Sequence, residues 1–149
     1  MRMNPIFSLF RFIWLIVSGR LYFPQDRLGE EVFMNDSGPK FTVFRHAVIK
    51  EASSKPEEAG AQLVVRFRLA KMSPELNTKF SMILIPFFVG LPGFKSKLWM
   101  VNKETGHFQG LYEWKTVLDA KNYSESFAMK FMTRRVEPGS IAFRITSKE

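Results

Sequence analysis

The chain has 149 residues, 46% of them hydrophobic, with a formal charge of +8 and a mean hydropathy of −0.09. That length fits one domain with an appendage, and the hydropathy argues against a protein of several membrane spans. There is no cysteine, which excludes disulfides, thiolate metal sites and cysteine nucleophiles. Residues 1–60 carry 8 Lys and Arg against 7 Asp and Glu, and residues 61–149 carry 14 against 7, so the basic excess lies C-terminally and suits an anionic partner.

The first element is the apolar segment "NPIFSLFRFIWLIVSGR" at 4–20. As a helix its run from Ile6 to Val17 would be roughly 18 Å long, short of the roughly 30 Å of a bilayer core. Arg11 interrupts it. Ser8, Arg11 and Ser18 share one side, opposite Phe7, Phe10, Ile13, Trp14 and Val17. This predicts a helix lying in a membrane interface, with Trp14, Arg2, Arg11 and Arg20 at headgroup level. A cleaved signal segment and a helix packed on the domain or on a dimer partner are the alternatives. Residues 1–20 are thus expected to attach to an anionic membrane surface, on the cytoplasmic side.

Residues 21–60 read as a connecting segment with one strand. "LYFPQDRLGEEVFMNDSGPK" is rich in turn formers, "KFTVFRHAVIK" (40–50) alternates as a strand, and "EASSKPEEAG" is a polar loop.

Residues 61–149 are more regular. "AQLVVRFRLAKM" is a strand with Leu63, Val65, Phe67 and Leu69 on one face. A first helix is predicted to start at Ser73-Pro74-Glu75 and to be ended or kinked by Pro86. A hairpin follows around "KETG", with strands at about 95–102 and 107–115. A four-residue loop makes cross-strand partners sum to 209, placing Trp99 opposite Gly110 and Lys97 opposite Tyr112. Trp99, Val101, Phe108, Tyr112 and Trp114 then share one face, with Leu98, Met100 and Leu111 on the other. Gly110 is expected to leave room for the Trp99 ring. A second helix is predicted over 116–135, capped by Thr116 with Asp119 as a partial capping box and with Ala120, Tyr123, Phe127, Ala128 and Phe131 as its apolar stripe. "SIAFRIT" is the last strand.

The order is β-α-β-β-α-β, a ferredoxin-like α+β plan with one antiparallel sheet and two helices on one face. An apolar second sheet face calls for cover and points to a homodimer. His46 and His107 lie in different segments with no partner ligands in sequence, so no metal site is expected. No phosphate loop or catalytic triad can be read. "GHFQGLYEW" lacks the basic-Gly-aromatic pattern of RNA-binding sheets, which argues against nucleic acid.

"GLPGFKSKLWMVNKETGHFQGLYEWKTVLDAKNY" with "EPGSIAFRI", about residues 61–146, resembles the YdhR-type mono-oxygenase family of the dimeric α+β barrel superfamily. The resemblance rests on Pro92-Gly93-Phe94 before the Trp99 strand, on Gly110-Leu111-Tyr112, and on Asp119, Ala120 and Tyr123. It implies a homodimer whose sheets face each other as a barrel, with a pocket between sheet and helices. Trp114 corresponds to an aromatic that ends the third strand and often lines that pocket. The superfamily includes oxygenases that need neither metal nor flavin, haem-degrading enzymes and stress proteins. The expected function is binding of a hydrophobic or aromatic small molecule, with cofactor-independent mono-oxygenation as the activity if it is an enzyme. Trp99, Tyr112, Trp114, Tyr123 and Asn77 are the candidate pocket residues, and no cofactor is expected. The alternative is a non-enzymatic dimeric interaction or stress-response protein of the same fold.

Overall fold

The computed structural model describes residues 5–33, 40–50, 60–68, 79, 82, 85 and 89–147. Along the chain come α1 (Pro5–Val17), β1 (Leu21–Tyr22), β2 (Glu31–Phe33), β3 (Lys40–Ile49), β4 (Ala61–Arg68), β5 (Phe94–Val101), β6 (His107–Trp114), α2 (Val117–Ser124), α3 (Phe127–Thr133) and β7 (Ala142–Ser147). Lys79, Met82, Ile85 and Val89 are helical, between β4 and β5 as expected. The predicted cap at Ser73, the break at Pro86 and Asn77 lie outside the described residues.

The sheet order is β1-β3-β5-β6-β4-β7, with β2 also paired to β3 and every pairing antiparallel. The run β5-β6-β4-β7 at one end of it is the ferredoxin-like arrangement that the element order predicts. The extra strand, β3, extends this sheet along β5. Residues 21–40, read above as connection, also form β1 and β2. At two and three residues these are too short to carry alternation, and pairing with β3 holds them.

The hairpin register is the predicted one: Lys97 pairs with Tyr112, Leu98 with Leu111, Trp99 with Gly110 and Val101 with Phe108. Asn102 fixes the turn, its side-chain oxygen accepting from the amides of Glu104 and Thr105, while Gly106 closes it at φ 78°. The two sides of the sheet carry different clusters. Trp99, Val101, Phe108, Tyr112 and Trp114 join Ala61, Leu63, Val65 and Phe67 of β4 and the buried residues of the helices. Phe41, Val43, Leu98 and Met100 form the second cluster, on the other side. That cluster is already buried within the single chain, so Leu98 and Met100 do not need a second copy to leave water.

The predicted helix over 116–135 is two helices. Ser126 adopts an extended conformation and its side chain accepts from the Met129 amide, which starts α3 anew. A Ser-Glu-Ser run competes with the helix through such side-chain bonds, and here the cap prevails. Thr116 caps α2 by accepting from Asp119 N at 3.0 Å. The reciprocal bond of a full capping box is replaced: Thr116 donates its hydroxyl to Asp119 Oδ2 at 2.9 Å.

α1 lies on the helical side of the sheet, with Ser8 and Leu15 fully buried and Phe12 against the core. Gly90 makes this approach possible, since a Cβ there would collide with the Ser8 carbonyl oxygen. The side turned inward is the one that holds Ser8 and Arg11, and Arg11 Nε is buried without a hydrogen-bond partner. Arg11 as a whole is half-buried, so it stands at the margin between the inward and the outward side of α1. Ile6, Phe7, Leu9, Phe10, Ile13, Trp14, Ile16 and Val17 remain exposed, Phe10 at 67% and Val17 at 81%. Among the described residues no helix is long and apolar enough to cross a membrane.

Candidate functional site

Four of the five predicted site residues meet on the helix-covered side of the sheet. Trp99 comes from β5, Tyr112 and Trp114 from β6, and Tyr123 from α2. All four are in the larger core cluster, and Trp114 is completely buried. The reason is strand parity: positions 99, 112 and 114 face the same way in this register, and Tyr123 follows Ala120 on the inward stripe of α2.

The rings interlock. Trp114 stacks on Tyr123 with centroids 5.1 Å apart and on Tyr112 at 6.3 Å, while Phe94 meets its edge at 5.6 Å. The small Ala61 is the cross-strand partner of Trp114 on β4. The Tyr112 and Tyr123 hydroxyls lie 2.9 Å apart and share a hydrogen bond. Burial raises the pKa of both phenols, so both keep their protons across the ordinary pH range.

The fifth polar component was not among the predicted site residues. Lys97, in the middle of β5, is 4% exposed and donates from Nζ to the Tyr112 hydroxyl at 2.6 Å. Its ammonium position lies 4.3 Å from the Tyr112 ring centroid and 4.5 Å from that of Trp99. Arg45 of β3 sits over the same Trp99 ring at 5.3 Å. Burial first, and the Arg45 charge second, push the Lys97 pKa well below its ordinary range. The signal for Lys97 was present in the register, which set it opposite Tyr112 and so on the Trp99 side.

The atoms nearest to the open position at Gly110, which was expected to make room for the Trp99 ring, belong to Tyr112 and Lys97. A Cβ at 110 would stand 2.8 Å from Tyr112 Cε1 and 3.0 Å from Lys97 Cε. The missing side chain gives the space in which the lysine stem and the tyrosine ring lie together.

Among the described residues of the cluster, one buried donor is unspent. Trp114 Nε1 is buried with no hydrogen-bond partner. A buried indole normally finds an acceptor, and leaving the N–H unpaired costs on the order of 1–3 kcal/mol. The cluster thus offers an apolar, aromatic surround, an amine, two phenols and a free indole N–H.

The histidines stand elsewhere. His46 pairs with Leu98 and His107 with Arg68, positions of the opposite parity to Trp99 and Tyr112. Among the described residues no group of three potential metal ligands occurs.

No family model matches the chain, and no curated protein matches it. Solved structures do. A ferredoxin-fold protein of Listeria monocytogenes related to antibiotic biosynthesis monooxygenases superposes with a TM-score of 0.56 at 11% identity, over 87% of this chain and 92% of that one. A monooxygenase-like protein of Listeria innocua gives 0.55 at 13% identity, over 76% and 66%. A haem-degrading enzyme of Listeria monocytogenes gives 0.54 at 13% identity, over 87% and 97%. At such identities the likeness establishes the ferredoxin-like fold.

Proposed function

We propose that the protein binds a hydrophobic or aromatic small molecule between its sheet and helices, and that it is related to the YdhR-type branch of the dimeric α+β barrel proteins. The observation that carries the reading is the unpartnered indole N–H of fully buried Trp114, amid aromatic rings. An apolar site with a few fixed polar groups is what small-molecule recognition uses. The monooxygenase-like and haem-degrading structures of the same fold are consistent with it.

The activity proposed is oxidation of such a ligand by dioxygen without metal or flavin. A phenol or quinol that ionises can pass an electron to oxygen itself, and the protein then needs only to bind, orient and desolvate it. Trp99, Tyr112, Trp114 and Tyr123 wall the site, and Asn77 of the first predicted helix would complete it. Oxygen uptake with phenols and quinols, together with native mass spectrometry for a retained ligand, tests this. A ligand without oxygen uptake would support binding alone. Neither ligand nor uptake would favour the non-enzymatic interaction or stress-response reading.

Two associations complete the proposal. A homodimer would form over the second sheet face, where Val64, Arg66 and Leu111 are half-buried. The exposed apolar side of α1 would seat the protein on the inner surface of the cytoplasmic membrane, with Trp14 and Arg20, whose guanidinium lies 5.3 Å from the indole, at headgroup level.

A further inference from the structure

Helix α1 is amphipathic in the reverse sense for an element packed on a core. Phe10, Ile13, Trp14 and Val17 are exposed, while Ser8 is fully buried. The two flanks of the outward side also differ. Leu9 and Ile16, seven residues apart, line one of them. The other carries Phe7, Arg11 and Trp14, which at spacings of four and three are neighbours on the helix surface. Arg11 is half-buried at that margin, and its Nε has no hydrogen-bond partner. Just past the helix, Gly19 takes φ 73° and Arg20 lies over the Trp14 ring, its guanidinium 5.3 Å from the centroid. Arg20 Nε donates to the Lys50 carbonyl at 3.0 Å, which holds the side chain there. Among the described residues neither arginine meets a carboxylate, and the sequence has no Asp or Glu before Asp26. One flank of an apolar surface thus gathers two guanidinium groups and an exposed indole.

We propose that this flank is a headgroup site, at which Arg11 and Arg20 take phosphate oxygens of an anionic phospholipid. This rests on the membrane reading above and gives it an orientation. The Arg11–Trp14 flank of α1 lies toward the headgroups, and the Leu9–Ile16 flank lies deeper among the acyl chains. An arginine at an apolar margin keeps its stem in apolar surroundings and sends its guanidinium to the polar layer. The planar guanidinium presents parallel N–H groups that match two oxygens of one phosphate. An indole beside it suits the same level, being apolar in body with one polar N–H. The exposed apolar surface continues past the helix through Tyr22 and Phe23. A second copy of the chain is the poorer occupant. Pairing two such helices would bring their arginines together, and α1 has no acidic residue to answer them.

The test is co-sedimentation of the full-length protein with vesicles of phosphatidylcholine, alone or mixed with phosphatidylglycerol. The wild type is expected to prefer the mixed vesicles. Arg11→Gln is expected to keep its binding to phosphatidylcholine while its preference for phosphatidylglycerol falls about fivefold. Arg144→Gln, which removes the same charge from an exposed position on β7, should leave that preference intact. A preference unchanged in Arg11→Gln, or one that falls equally in Arg144→Gln, overturns the headgroup site and leaves the membrane reading standing. A wild type that binds neither vesicle overturns both. Self-association without vesicles that is lost in Phe10→Glu with Val17→Glu would make a second copy the occupant, and overturns both as well. Should Arg11→Gln fail to fold, the wild type decides through Trp14, the exposed one of the three tryptophans. Its emission should be quenched more by a nitroxide near the lipid headgroup than by one at mid-chain, and the reverse order overturns the site.

Discussion

Lys97 and Tyr112 face each other across β5 and β6, and their polar ends meet at 2.6 Å inside the core. This contact joins the sheet to α2, since the same Tyr112 hydroxyl lies 2.9 Å from that of Tyr123. The chain Lys97–Tyr112–Tyr123 is a polar thread through an aromatic cluster, and its members are coupled in packing as well as in charge.

Gly110→Ala tests the packing. The added methyl would meet Tyr112 Cε1 at 2.8 Å and Lys97 Cε at 3.0 Å. Overfilling a packed core of this kind costs about 1–3 kcal/mol. Urea unfolding should show that loss. An unchanged midpoint would mean that the pair is free to move aside.

The buried amine gives stability a pH dependence. Lys97 has a folded-state pKa well below its ordinary 10.5, so between those two values the unfolded chain binds a proton that the native one does not. Stability therefore rises with pH through that window, by at most about 1.4 kcal/mol per pH unit, and is lowest below it. The buried tyrosines act oppositely. With pKa values raised above 10.0, they hold stability that is complete below that pH and lost above it. Urea midpoints taken from neutral pH to just below 10.0 should climb in the wild type and run flatter in Lys97→Met. Parallel curves would show that Lys97 keeps an ordinary pKa in the folded protein.

Much of this was legible in the chain. Strict alternation in β4, the turn residues of "NKETGH" and the capping threonine fixed the strand register and the start of α2 through local chemistry. Parity alone then brought Trp99, Tyr112 and Trp114 together. The break at Ser126 was not legible, because the apolar stripe runs on through it and only the cap geometry separates α2 from α3. Lys97 was assigned a partner but no role, since a lysine in a strand ordinarily reaches for solvent. What keeps it inside is Gly110 and Ala47, two small residues on different strands that only the folded sheet brings beside it.

Tyr123→Phe removes one hydroxyl and leaves Tyr112 still bonded to Lys97. The loss of a single buried hydrogen bond should cost about 1 kcal/mol in thermal or urea unfolding. A loss several times larger would mean that Tyr123 also fixes the lysine.

The outward side of α1 can be tested without disturbing its inward side. Leu15 belongs to the core, so removing residues 1–20 would also open the domain. Phe10→Glu with Val17→Glu changes only exposed positions. Co-sedimentation with vesicles containing phosphatidylglycerol should fall sharply in the double variant while its unfolding midpoint is kept. Equal sedimentation of both proteins would remove α1 as the attachment.

The central claim is that the buried indole N–H of Trp114 awaits an acceptor on a small aromatic ligand. The chain has three tryptophans, so their indole N–H resonances in an amide-type nitrogen–proton spectrum are few, and Trp114→Phe assigns the one that matters. On titration with 1-naphthol, the Trp114 resonance is expected to move downfield as the hydrogen bond forms, while that of the exposed Trp14 stays in place. A Trp114 resonance that remains at its ligand-free position while the rest of the spectrum shows 1-naphthol bound would contradict the account.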